Sequence, residues 1–192
     1  VQERAARLQI IFEVSQEISS NVDEQPKELL KRITRLISEK LGFYHVGIFL
    51  LDENREYAVL RAANSQGGQR MFERHHQLKV GGIGIVGYVS QGGRPRIALD
   101  TGSDAVFFNN PDLPQTRSEM ALPLKYGTKV IGVLDVQSTQ SSAFKDEDAN
   151  LLSTLANQIA IVIKNVLTDD HSEYPFPSQI ANRSGEQRSR KQ

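Results

Sequence analysis

The hydrophobic period of this chain changes twice, from helical to alternating and back to helical, and few architectures accommodate that order. From Pro26 the apolar residues Leu29, Leu30, Ile33, Leu36, Ile37 and Leu41 follow i, i+3, i+4, i+7. This spacing predicts an amphipathic helix, opened by the proline and stopped by Gly42. His45 to Asp52 then carries Val-Gly-Ile-Phe-Leu-Leu between polar ends, a mostly buried strand, and Glu56 to Ala63 alternates as its hairpin partner across Glu53-Asn54-Arg55. Asn64 to His76 reads as a loop or ragged helix. Leu78 to Val80 is a short strand, Gly81 to Gln91 a short helix entered through glycines, and Pro95 to Leu99 a further strand. Asp100 to Arg117 is a long polar connection, and loops of that length in a compact domain are commonly functional. Ser118 to Tyr126 and Lys129 to Gln137 form another hairpin around Gly127-Thr128. Lys145-Asp146-Glu147-Asp148 then puts acid at the start of a long helix with the stripe Leu152, Leu155, Ala156, Ile159, Ile163 and Val166. The order predicts an α+β fold. An antiparallel-rich central sheet of about five to six strands carries the N- and C-terminal helices on one face and the short helix and loops on the other.

Ahead of this body lies a polar segment, residues 1–23, with Leu8, Ile11, Ile18 and Val22 spaced by three, seven and four. That is half of a heptad pattern and predicts a helix with a narrow apolar stripe, suited to packing on another helix. The domain proper is read as 24–167. The remainder, 168–192, carries Pro175, Pro177 and Gly185 without a sustained period and is read as a disordered tail or linker.

Composition excludes several classes. The 192 residues hold 23 Lys+Arg and 23 Asp+Glu, so no net field draws nucleic acid or an anionic membrane. The longest apolar runs are five or six residues, and the first residues show no charged-then-apolar leader pattern. A cytoplasmic setting fits. With no Cys there is no disulfide, thiolate metal site or cysteine nucleophile. Gly82-Ile83-Gly84-Ile85-Val86-Gly87 matches G-x-G-x-x-G, but the strand before it is polar and Gly92-Gly93-Arg94-Pro95 stops the helix within about two turns. The glycines are read as shaping a tight turn. His75 and His76 are adjacent and cannot face one ligand from a regular element, so no metal site is assigned. The four histidines, His45, His75, His76 and His171, read as surface or strand-edge positions. There is no G-x-S-x-G, and with no catalytic constellation legible the chain is read as a non-enzyme. Gly132, in an otherwise β-branched strand, predicts a close approach or a bend, and Pro123 an edge or bulge position. Asp135 sits among apolar residues and is the side chain most in need of a partner; its plainer reading is a strand end meeting solvent or a cap.

Four stretches together resemble a GAF domain, the small sensory module of signalling proteins. They are Leu78 to Val89 with its glycine turn, Arg117-Ser118-Glu119-Met120-Ala121-Leu122-Pro123-Leu124, Val130-Ile131-Gly132-Val133-Leu134-Asp135-Val136-Gln137, and Phe144 to Asp148 leading into Leu151-Leu152. The match runs in order from Glu24 to Val166 and implies a GAF/PAS-like fold. By the resemblance, a small-molecule pocket lies on the sheet face covered by the short helix and loops. Its lining is drawn from Ile85, Val86, Val89, Asp100, Phe107, Phe108, Asn109, Arg117, Glu119, Ala121 and Asp135. The same side chains would also fill a collapsed, ligand-free pocket. In this family the missing Cys removes covalent bilin attachment and the redox chemistry of free methionine sulfoxide reduction, leaving no assigned cofactor. Gln137-Ser138 stands where the cyclic-nucleotide branch has Asn-Lys, which counts against that ligand. The resemblance further implies a homodimer, joined through Leu8, Ile11, Ile18, Val22, Ile159, Ile163 and Val166, and a fused output domain in a longer signalling protein. Packing of the two terminal helices within one chain would need the same stripes.

Overall fold

The computed structural model of the chain describes residues 2–20, 24–104 and 109–169. Helix α1 (Gln2–Ser19) leads to α2 (Pro26–Leu41), then strands β1 (His45–Leu51) and β2 (Tyr57–Ala63). Helix α3 (Gln66–Glu73), β3 (Gln77–Lys79), α4 (Ile85–Gly92) and β4 (Arg96–Ala98) follow. The chain continues through β5 (Ser118–Tyr126), β6 (Lys129–Ser138) and α5 (Asp146–Asp169). The six strands make one antiparallel sheet in the order β3-β2-β1-β6-β5-β4, an α+β architecture as the alternating periods predict.

Local chemistry sets the boundaries. Pro26 occupies the first turn of α2, where its missing N–H costs nothing, and Gly42 closes the helix in the left-handed region at φ 73°, its N–H donating to the Ser38 carbonyl. Asn64 to His76 resolves into a helix, because the Ser65 hydroxyl accepts from the Gly68 N–H as an N-cap. The glycine turn has a packing cause. A Cβ on Gly87 would stand 2.7 Å from the Lys79 carbonyl, so α4 lies against β3 only because the side chain is absent. At Pro123 the sequence reading of an edge position holds, since β4 pairs only with residues 119–121 and leaves β5 without an outer neighbour there.

The sheet separates two apolar layers. On one face Met120, Leu122, Leu124, Leu134 and Val136 pack under α2 and α5. On the other, Phe49, Leu60, Ala121 and Val133 pack under α3, α4 and the loop that carries Leu113. Helix α1 belongs to the first layer. Ile11, Val14 and Ile18 are buried with Ile159 and Ile163 of α5. Arg7 is paired with Asp148, and Gln158 Nε2 donates to the Ser15 carbonyl and to Ser19 Oγ, so α1 and α5 run alongside in the same direction. Four of the residues proposed for a dimer seam, Ile11, Ile18, Ile159 and Ile163, thus serve the chain's own core, and Val166 packs on its margin. Leu8 is 46 % exposed, and Val22 lies outside the described residues. No helix among the described residues is long and apolar enough to cross a membrane.

Candidate functional site

Strand alternation decides which side chains reach the α4 face. Along β6, Val133, Asp135 and Gln137 share that face while Leu134 and Val136 turn to α5. In the β5–β6 register Glu119 stands directly opposite Gln137, and Asp135 opposite Ala121, so Glu119 and Asp135 are diagonal neighbours. Both carboxyls line the same cavity wall. Asp135 is 2 % exposed and Glu119 6 %, which corrects the reading of Asp135 as a solvent-facing strand end. Thr116 Oγ1 donates to Gln137 Oε1 at 2.5 Å, and Gln137 Nε2 donates to Asp135 Oδ2 at 2.7 Å. Asp135 Oδ1 accepts no hydrogen bond.

The β1 strand adds an imidazole. His45 is fully buried, contrary to its reading as a surface or strand-edge histidine, and its Nε2 lies 3.8 Å from Asp135 Oδ2. Gly47 stands opposite Asp135, and its missing side chain leaves the space that His45 fills; a Cβ there would be 3.1 Å from Nε2. Ser65 Oγ lies 2.7 Å from His45 Nδ1 and also accepts from the Gly68 N–H. Burial lowers the His45 pKa to about 4, so the ring is neutral. Burial raises the Asp135 carboxyl to about 6. Burial and the Asp135 charge beside it push Glu119 well above the usual carboxylate range. Both shifts favour the neutral carboxyl, that of Glu119 above all.

Over these groups lies a small cavity of about 30 Å³, whose walls include Phe49, Met71, Ile85, Val86 and Leu113, with His76 and Asn110 among its polar lining. Of the sequence candidates, Ile85, Val86, Glu119 and Asp135 meet at this cavity. Val89 and Ala121 are buried in the same apolar layer without lining it. Asp100, Asn109 and Arg117 are exposed and are not among its lining residues, Asp100 spending its carboxyl on the Gly102 N–H of its own turn. Phe107 and Phe108 lie outside the described residues. Sequence reasoning missed Gln137, Thr116 and His45. Gln137 was within reach, two residues beyond Asp135 on the same face, whereas His45 joins the site only through strand register. Among the described residues no group of three or more His, Cys, Asp or Glu is placed to hold a metal ion.

No curated protein matches this sequence. Solved structures do. The GAF domain of a phosphoenolpyruvate-protein phosphotransferase from Coxiella burnetii is 22 % identical with a TM-score of 0.75, covering 86 % of this chain and 96 % of that one. The corresponding Acinetobacter domain is 24 % identical with a TM-score of 0.72, covering 85 % and 96 %. A free methionine-R-sulfoxide reductase from Neisseria meningitidis, in complex with its substrate, is 20 % identical with a TM-score of 0.71, covering 84 % and 90 %. At these identities the likeness is one of fold. It nevertheless corrects the expectation of a non-enzyme, because reductases stand among the structures that share this fold, and the want of a legible catalytic motif no longer excludes an activity. The six-stranded sheet with its long helices on one face and its covered cavity on the other agrees with the match of residues 23–164 to the GAF domain family, and the chain belongs to that family.

Proposed function

We propose that this GAF domain is the sensory part of a larger signalling protein in the cytoplasm. In this reading it binds a small molecule noncovalently in the cavity over Glu119 and Asp135. The observation that carries the proposal is the orphaned Asp135 Oδ1 at the cavity wall. A buried carboxylate oxygen without a donor costs on the order of 1–3 kcal/mol, and a ligand donor would relieve it. Transmission follows from β5, which presents Glu119 to the cavity and Met120 and Leu122 to α5. A ligand that shifts β5 shifts the floor on which α5 and α1 rest, to the extent that it binds the two arrangements differently. A thermal-shift screen across small-molecule classes tests this. A ligand at about a hundred times its Kd is expected to raise the Tm by on the order of 5 °C or more, and Asp135→Asn to reduce that shift. A screen without a hit, or a hit insensitive to Asp135→Asn, would count against the site.

The terminal helices favour a homodimer by a route other than the buried stripe. Leu8 and Phe12, 46 % and 57 % exposed, lie one turn apart on the outer side of α1, and Ile161 is 49 % exposed on α5. Light scattering is expected to report twice the chain mass for the native protein. Leu8→Asp with Phe12→Asp should give single-chain mass at an unchanged Tm. Ile11→Asp and Ile18→Asp cannot make this distinction, since both residues are in the core.

A further inference from the structure

Resting on the reading of this cavity as a ligand site, we propose that the Glu119–Asp135 pair is a proton-for-cation exchange site. A small molecule bearing a primary ammonium group takes the place of the proton that the two carboxyls share.

The geometry supports this in three ways. First, Glu119 and Asp135 are buried diagonal neighbours on one cavity wall and no Lys or Arg lines that cavity, so a proton held between the two carboxyls is what relieves their mutual repulsion. Second, Asp135 Oδ1 is buried and has no donor, while Oδ2 already takes the Gln137 amide. The vacant acceptor wants N–H, and an ammonium carries three such donors. Third, the cavity of about 30 Å³ holds roughly two water-sized groups, enough for an ammonium and the carbon that bears it.

The surrounding charges leave the exchange to the pair. His45, from β1, faces Asp135 as a neutral ring. His76 at the cavity rim is held below the ordinary imidazole range by burial and by Arg74. Asp104 adds negative charge near Glu119 and is itself paired with Arg96. Helix α4 brings no charged side chain. On the α3 side, Arg70 and Arg74 are engaged by Asp112.

The step balances. The Glu119 carboxyl loses its proton to solvent, the ammonium N–H groups donate to the two carboxylates, and the net charge of the occupied site is unchanged by the exchange. One proton leaves per cation bound, so affinity rises about tenfold per pH unit while the pair retains its proton.

Methylammonium tests this in the intact chain, with methanol, acetate and tetramethylammonium as neutral, anionic and N–H-free controls. Methylammonium alone is expected to raise the Tm, with affinity climbing about tenfold from pH 6 to 7. Difference infrared spectra should lose the protonated-carboxyl band on binding. Glu119→Gln should lack that band from the start and bind with little dependence on pH, and Asp135→Asn with the same readouts serves if that variant fails to fold. Binding of methylammonium at constant affinity with the band intact, or equal binding of acetate or methanol, overturns the exchange while leaving the cavity a ligand site. Failure of methylammonium and of every member of a small-molecule panel to bind overturns both.

Discussion

Replacing Gly132 by Ala is expected to cost about 3 kcal/mol or more of stability, or to prevent folding. Gly132 sits mid-β6, opposite Leu50 on β1 and Leu124 on β5. An added Cβ would stand 2.2 Å from the Phe49 carbonyl oxygen and 3.0 Å from Leu50 Cδ2. The oxygen belongs to the backbone of a central strand, so relief requires β1 to move away from β6 and give up ladder hydrogen bonds. The tight passage coincides with irregularities on both flanks, a register shift between Ile48 and Phe49 and another between Leu124 and Lys125. Urea unfolding of Gly132→Ala measures the effect. Gly92→Ala is the control: nothing lies within 4 Å of its Cβ and the position is helical, so it should be neutral or stabilising by about 0.5 kcal/mol. A loss below about 1 kcal/mol for Gly132→Ala would show that the strands yield easily.

Stability is expected to fall as pH rises from 5 toward 8, and Glu119→Gln should flatten the curve. Glu119 is raised well above the usual carboxylate range, so the folded chain keeps a proton that the unfolded chain has already released. Its contribution is present below the ordinary carboxylate pKa and is lost as pH climbs, at up to about 1.4 kcal/mol per pH unit. Asp135, raised to about 6, adds a loss of the same sign between about pH 4 and 6. His45 opposes it. Its pKa is lowered to about 4, so the unfolded chain binds the extra proton and stability rises across that same window. Asp135 and His45 therefore nearly offset each other between pH 4 and 6, and Glu119 sets the slope from there upward. In Glu119→Gln the offsetting pair remains together with His76, whose lowered pKa makes stability rise with pH, so the fall is removed. Denaturant unfolding at a series of pH values reads this directly, and a wild-type stability that increases from pH 5 to 8 would contradict the buried proton.

Much of the fold was legible because period is a local property. The stripe from Leu29 to Leu41 could only be a helix face, and the two hairpins announced themselves by alternation and by their turn residues. The glycine run from Gly82 to Gly87 was read as shaping a tight turn, because its flanking segments were wrong for a nucleotide fold; the contact it serves, Gly87 against the Lys79 carbonyl, needed coordinates. Gly132 announced a close approach without saying to what, and the answer is the neighbouring strand. Helix α1 was read as a polar helix whose narrow apolar stripe suits packing on another helix. Three residues, Ile11, Val14 and Ile18, seat that stripe on the chain's own core, beside the Arg7–Asp148 and Gln158–Ser15 pairs.

The sequence by itself determined the order of elements, the family and the acidic residue on β6 that lacked a partner, since each follows from residues close together along the chain. Only the tertiary structure decided what Asp135 meets. Glu119, Thr116, Gln137 and His45 come together through the antiparallel register of β1, β5 and β6, and a one-residue slip in any pairing would turn its carboxyl, amide or imidazole to the α5 face. Depth then did the rest. Burial and mutual proximity push both carboxyls toward the neutral form, whereas the same two on an exposed strand would both be ionised.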